Sequence, residues 1–339
     1  MLATAPYARL AGLATAEKRY GPQIHKLAPW FGVGDTSWDL ASPPHRVEAP
    51  PWLDAKRCDR GGLVLRRHGV FASMVLRAYA LPLSYLSPVG IRPLVASGEL
   101  LRQAAPRLLR TANYVVETHQ QGAMHPGGPG WQTAASVRTI HQRIRQRLIE
   151  EGWPEEFGDP IPQADVAVTA LLFGPLTVKG LRMLGMRISP QEADDVAHLS
   201  RAIAYSQGVV AELHTDTHND AIDLFERMTS LNGPADDDGR ALMRALLDIP
   251  YTLAKSKPQL AMASLQKSFY EGLTAELLGD AQAKALGLAK NDSVIRRLRR
   301  ITQTPGLFHP RLAPVHDQLI QSILKLGEAR MQALASAAT

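Results

Sequence analysis

The chain has 339 residues, of which 45% are hydrophobic and 21% are charged. These proportions are typical of a globular protein and exclude an intrinsically disordered one. Lysine and arginine exceed aspartate and glutamate by 38 to 32, and this excess is too mild to indicate a dedicated nucleic-acid-binding protein.

Residues 1–60 are rich in proline, tryptophan and charge, which predicts an irregular N-terminal arm. The first positive charge, Arg9, lies inside the early apolar run, so the order expected of a secretory signal is absent. The longest uncharged apolar run, from Val166 to Val178, is too short to cross a bilayer and is typical of a buried helix. From these features we expect a cytoplasmic protein without a transmembrane segment.

From Gly62 onward, apolar residues recur at helical spacing between short turns, and no stretch alternates with the period of a strand. We therefore predict an all-α fold, with a single helical domain over residues 61–339. Ser189 and Glu192, with Pro190 between them, form a capping-box pattern that marks the start of one helix.

Cys58 is the only cysteine. A single cysteine excludes an intrachain disulfide, a zinc finger, a four-cysteine iron–sulfur cluster and covalent haem attachment through a C-x-x-C-H motif. Any prosthetic group would therefore be held by packing and by non-covalent ligation.

The most informative region, Pro106 to Gln163, reads as two helices on either side of a glycine-rich turn. The second helix begins near Trp131 and carries an apolar stripe at Ala134, Val137, Ile140, Ile144 and Leu148. His141 falls on this stripe and Arg138 precedes it by three residues. In the first helix, Arg107 and Thr111 share a face. Spacing alone predicts that His141 is buried, as core histidines usually are, and leaves its role open.

Two ordered motifs give this region a family resemblance. Arg107-Leu108-Leu109-Arg110-Thr111 matches R-x-x-[KR]-T, and Val137-Arg138-Thr139-Ile140-His141 matches V-R-x-x-H. With the turn HPGGPGW between them and Pro162-Gln163-Ala164-Asp165 after them, they resemble the rubber oxygenase or latex-clearing-protein family, which includes the mycophenolic-acid-pathway oxygenase. The resemblance covers about Gly62 to Asp248.

The resemblance implies a globin-like helical core around haem b, and oxidation of isoprenoid chains with dioxygen. Matched by position, His141 is the proximal iron ligand and Arg138 pairs with a haem propionate. Arg107 and Thr111 lie on the distal side as hydrogen-bond donors to oxygen or to an oxidised intermediate. The implied partners are dioxygen and a small apolar substrate, while the oligomeric state is left open.

Arg110 departs from the pattern of the rubber-cleaving members, which carry lysine at this position. A neutral lysine can act as a sixth iron ligand, whereas arginine stays protonated and offers no lone pair. The resemblance therefore implies an open iron site here and a substrate that differs from rubber.

Other interpretations remain open. The chain is alternatively a non-catalytic haem-binding or lipid-binding protein, or a metal-dependent hydrolase that uses His214 and His218. The favoured interpretation of the His214 and His218 segment is the start of a helix that is capped by Thr215 or Asp216. His119 is a further candidate for proton transfer near the distal side. A basic run permits peripheral contact with anionic lipid, although a solvated helix face is favoured; it comprises Arg296, Arg297, Arg299 and Arg300.

Overall fold

A computed structural model of the chain describes residues 10–32, 48–96, 104–288, 294–303 and 308–336, and within these ranges it contains no β-strand. The α-helices in chain order are α1 (Leu13–Tyr20), α2 (Ala55–Arg67), α3 (Gly69–Val75), α4 (Leu81–Ser84), α5 (Arg92–Ala96), α6 (Ala104–Thr118), α7 (Pro129–Glu150), α8 (Gln163–Phe173), α9 (Pro175–Met183), α10 (Pro190–Ser206), α11 (His218–Ser230), α12 (Asp237–Thr252), α13 (Lys257–Leu278), α14 (Asp280–Ala285), α15 (Val294–Thr302) and α16 (Ala313–Ser336). Short 3₁₀ helices and one π-helical turn complete them at Pro22–Phe31, Leu76–Ala80, Glu155–Phe157, Ala211–Leu213 and Pro310–Leu312. The predicted all-α fold is confirmed.

The N-terminal arm is more helical than its composition suggests. Within residues 1–60 lie α1 and the 3₁₀ helix Pro22–Phe31, and their side chains Ala16, Ile24 and Phe31 are buried in a cluster with residues of α8. Helix α2 begins at Ala55, where the Asp54 carboxylate accepts backbone hydrogen bonds, and so runs across the expected boundary at residue 60. Burial against α8 stabilises helices that the local helix propensity of the sequence does not predict.

Helices α8 and α9 lie inside the fold. Their joint stretch, residues 163–183, is long and apolar enough to span a membrane by length and composition, yet 72% of it is buried in the protein. Gly174 lies between the two helices and packs so closely on α10 that a Cβ atom at this position would lie 1.8 Å from the Ser200 hydroxyl oxygen. A helix that is apolar on all sides is expected at the centre of a helical protein.

Helix α2 packs closely on α10 and on the end of α6. A Cβ atom at Gly61 would lie 2.4 Å from the carbonyl oxygen of Asp195, and one at Gly62 would lie 2.4 Å from that of His119. The buried Asp195 carboxylate accepts hydrogen bonds from Arg57 (3.1 Å) and Arg60 (2.7 Å). Such contacts fix the distance between backbones that carry residues of the candidate site described below.

Helix α10 begins as the sequence predicts. The Ser189 hydroxyl accepts from the Glu192 backbone N–H, and the Glu192 carboxylate accepts from the Ser189 backbone N–H. This reciprocal pair is a complete capping box, and it confirms the predicted start.

Candidate functional site

Helices α6 and α7 pack against each other around the glycine-rich turn. Asp59 of α2 ties this turn to the fold, since its carboxylate accepts from the Gly122 backbone N–H at 2.7 Å and lies 3.0 Å from His125 Nε2. Helix α7 begins at Pro129, two residues before the predicted start at Trp131. The hairpin thus brings the two motifs onto neighbouring helices.

The inward face of α7 differs in part from the predicted stripe. Ala134 and Leu148 are buried as expected, but the Ile140 side chain is 50% exposed, so its assignment to the inward face is wrong. The buried guanidinium of Arg145, four residues after His141, lies on that face instead. The face that a helix buries is centred on one direction, and Ile140 is rotated by about 100° from His141.

His141 is half-buried on α7, within electrostatic reach of two arginines. Burial, together with the positive charges of Arg145 and Arg107, lowers the pKa of its imidazole to about 4. The ring is therefore neutral near pH 7. Among the described residues, neither ring nitrogen takes part in a hydrogen bond. A neutral imidazole whose lone pair is uncommitted is a suitable ligand for iron.

Arg107 and Thr111 are both half-buried on α6. The positive charge of Arg107 contributes to the lowered pKa of the His141 ring. Burial raises the pKa of Tyr85 to about 12, and the Arg107 charge opposes this rise. Arg107 therefore lies within electrostatic reach of His141, and the roles assigned to the two residues stay predictions. Arg110, between Arg107 and Thr111 in sequence, is exposed.

Arg138 is half-buried and lies against the backbone at the end of α10. A Cβ atom on Gly208 would be 2.9 Å from Arg138 Nε. Its position on α7, one turn before His141, places it on the same side of the helical hairpin as the candidate ligand. Pairing with a propionate remains a prediction.

Arg145 is a site residue to which the sequence analysis gave no role. Its Nε donates to the Pro160 carbonyl at 2.9 Å and its Nη2 donates to the Ile161 carbonyl at 2.6 Å. Ile161 adopts φ 51°, a left-handed conformation that is unfavourable for a β-branched residue. Arg145 thus fixes the strained turn that leads into α8. Its spacing of four residues from His141 was the available signal.

The His214 and His218 pair does not form a metal centre. Among the described residues, no group of three or more histidine, cysteine, aspartate or glutamate side chains could hold a metal ion. The cap of α11 is Thr217, whose hydroxyl accepts from the Asp220 backbone N–H, so the expected caps Thr215 and Asp216 are wrong. The His214 ring packs edge-on against Trp52 at 5.7 Å. This arrangement gives no support to a metal-dependent hydrolase.

Acid should destabilise the fold because several histidines are buried in their neutral form. Burial lowers the pKa to about 4 for His68, His119, His198 and His218. The unfolded chain binds these protons near pH 6.5 and the native one does not, so stability falls as the pH drops from 6.5 to 4. Each group contributes about 1.4 kcal/mol per pH unit in that window. Urea unfolding followed by circular dichroism between pH 4.5 and 8 measures this loss.

Above pH 7 the same groups are neutral in both states, so the unfolding midpoint should reach a plateau with respect to these histidines. An unfolding midpoint at pH 5 equal to that at pH 7.5 would contradict the burial of neutral histidines.

Comparison with known proteins identifies a family for this chain. The model of the family described as ER-bound oxygenase mpaB/B'/Rubber oxygenase, catalytic domain, matches residues 65–305. A rubber oxygenase from Streptomyces sp. (strain K30) is 24% identical over 260 residues, which cover 75% of this chain and 61% of that protein. The chain therefore matches about three fifths of the length of that relative.

A solved structure of latex clearing protein LCP in the closed state is similar in fold. It has a TM-score of 0.65 at 19% sequence identity, over 94% of this chain and 89% of that one. The family match covers α6 and α7 with both motifs and most of the chain. This protein belongs to the mpaB and rubber oxygenase catalytic-domain family.

Proposed function

We propose that the protein is a haem-b-dependent oxygenase that oxidises a small, apolar, isoprenoid-like substrate with dioxygen. The observation that carries the proposal is the neutral His141 imidazole, which has no hydrogen bond among the described residues and lies within electrostatic reach of Arg107. Membership in the oxygenase family supports the reaction class.

In this proposal His141 would hold the haem iron and Arg138 would pair with a propionate. Haem, when bound, supplies the redox-active iron on which oxygen chemistry depends. Arg145 keeps its guanidinium on the Pro160 and Ile161 carbonyls and so holds α7 against the turn that leads into α8. The ligand helix is thereby fixed before the prosthetic group binds.

Arg107 and Thr111 would act on the substrate side. A half-buried guanidinium and a hydroxyl are hydrogen-bond donors, and donors in a partly desolvated site stabilise developing negative charge better than water does. Arg107 remains charged at all accessible pH values because its guanidinium cannot be deprotonated in a protein.

An ultraviolet–visible spectrum of the purified protein tests the cofactor. A Soret band at about one haem per chain supports the proposal, and its absence from protein expressed with haem rejects it. Oxygen uptake with isoprenoid probes such as squalene and geraniol tests the reaction. Haem binding without uptake would favour the alternative of a non-catalytic haem protein.

The ferric site should be open to small ligands. Arg110 is exposed and cannot ligate iron, so added imidazole should bind without displacing an amine, and the resting spectrum should show no amine ligation up to pH 10. Arg110→Lys introduces an amine with a pKa of about 10. Its spectrum should shift towards a low-spin, nitrogen-ligated form only as the pH approaches that value.

A parallel pH titration of the spectra compares the parent with Arg110→Lys, and Arg110→Gln serves as a neutral control without an amine. A low-spin, nitrogen-ligated resting spectrum in the parent would contradict the open site.

A further inference from the structure

Helix α15 carries the basic run of the sequence on a short helix that is held firmly against the protein. Its nine residues include four arginines and no acidic residue. The Leu298 and Thr302 side chains are buried, and the Thr302 hydroxyl donates to the Leu184 carbonyl at 2.6 Å. At the other end, the Glu276 carboxylate accepts from the Val294 backbone N–H at 2.9 Å. These contacts fix the rotation of α15 about its axis.

That rotation decides which arginines face solvent. Arg296 and Arg300 lie two residues before and after the buried Leu298, about 200° around the helix from it, so they point away from the protein. Both side chains are exposed. Arg299 lies on one flank, where its Nε donates to the Met183 carbonyl at 3.0 Å. The apolar face of α15 is therefore buried against the protein, and the basic face is turned outwards.

The positive charge of this face has few partners within the protein. Arg297 and Arg300 take part in no ion pair or hydrogen bond among the described residues, and the same holds for the exposed Arg187 in the turn between α9 and α10. Helix α15 packs on this turn, since a Cβ atom at Gly185 would lie 3.2 Å from Arg299 Cγ. Such a surface of one sign of charge is complementary to an anionic surface.

Exposed apolar side chains accompany the arginines. Ile301 follows Arg297 by four residues on the same flank of α15 and is 52% exposed. Leu312 and Val315 are exposed as well, and the chain from the end of α15 to Phe308 reaches at most about 22 Å. A bilayer surface offers both anionic headgroups and an apolar boundary, whereas the backbone of a nucleic acid offers phosphate charge. The combination favours a bilayer.

We propose that the outer face of α15 binds the surface of a bilayer that contains anionic lipids. The exposed guanidinium groups pair with lipid phosphate and carboxylate groups, to which their planar, forked donors are suited. Because the apolar face of α15 stays against the protein, the contact lies at headgroup level. Each basic residue near such a surface strengthens binding by about fivefold. This proposal does not depend on the proposed oxygenase activity.

Flotation of the full chain with lipid vesicles tests the contact. Vesicles of phosphatidylcholine with about 30% phosphatidylserine should bind the protein at about 50 mM salt and release most of it at about 500 mM, because salt screens exposed charges. Vesicles of phosphatidylcholine alone should bind it at least roughly tenfold more weakly. Equal binding to the two kinds of vesicle would overturn the proposal.

A combined variant, Arg296→Gln, Arg297→Gln and Arg300→Gln, should weaken binding to the anionic vesicles by roughly 100-fold. All three side chains are exposed, so the helical circular dichroism should be kept. Undiminished binding by this variant would overturn the proposal. The comparison of the two kinds of vesicle with the parent protein decides the matter even if the variant fails to fold.

A second combined variant, Lys26→Gln, Arg244→Gln and Lys257→Gln, is the matched control. It removes the same charge from exposed positions on three other helices, and its binding should stay within a few-fold of that of the parent. An equal loss in both variants would overturn the proposal, since net charge alone would then account for binding. Tighter binding of the parent to a short DNA duplex than to the anionic vesicles, at the same phosphate concentration and salt, would overturn it in favour of a nucleic-acid surface.

Discussion

Replacing His141 with alanine should abolish stoichiometric haem binding while the helical circular dichroism of the protein is kept. The imidazole would provide the only protein-to-iron bond in the proposed site, and its loss leaves haem held by packing alone. The His141 ring is half-buried and has no hydrogen bond among the described residues, so its removal breaks no such contact of the fold. Haem content is measured from the Soret absorbance per chain.

His25→Ala controls for the loss of a histidine as such, because His25 lies in the 3₁₀ helix Pro22–Phe31 and contacts Glu17 at 3.3 Å. It should keep its haem. Full haem content with an unchanged Soret band in His141→Ala would show that another residue ligates the iron. Imidazole added to His141→Ala offers a rescue experiment, in which a free ligand replaces the missing side chain.

Arg107→Ala should keep haem and lower oxygen-dependent turnover by about 10²–10³-fold, the effect typical of a lost donor to developing charge. Thr111→Val, which preserves shape, tests the second donor on the same face. Turnover is followed with an oxygen electrode at saturating substrate, and haem content is recorded for each variant.

Arg110→Ala is the matched control for Arg107→Ala, since it removes the same charge from an exposed side chain three residues along the same helix. Its turnover should stay within a few-fold of the parent. If Arg107→Ala loses haem instead of activity, Arg107 has a structural or propionate-binding role.

The sequence predicts those parts of the site that depend on local spacing. The start of α7 is predicted to within two residues from the turn before it, and the inward position of His141 follows from helical periodicity. The capping box at Ser189 is equally local, because both partners lie within four residues. Such features are determined by residues one or two turns apart.

The sequence does not predict features that depend on backbone groups distant in sequence. Arg145 is buried because its guanidinium donates hydrogen bonds to the carbonyls of Pro160 and Ile161, which belong to the turn before α8. Its spacing of four residues from His141 places it on the inward face of the helix, but an arginine is normally exposed, so the residue type assigns it to the surface. The buried His119 Nε2 atom, which has no hydrogen-bond partner among the described residues, is likewise recognised only in the structure.

The close approach of Gly62 to the His119 carbonyl limits which residues can evolve at position 62 of α2. Any side chain at position 62 would meet that oxygen, which a Cβ atom would approach to 2.4 Å, and would displace the end of α6. Mutations at a scaffold position more than fifty residues away in sequence would then displace the buried His119 side chain. Because the obstructing atom is a backbone carbonyl that every residue carries, homologues are expected to retain glycine at position 62 whatever residue occupies position 119.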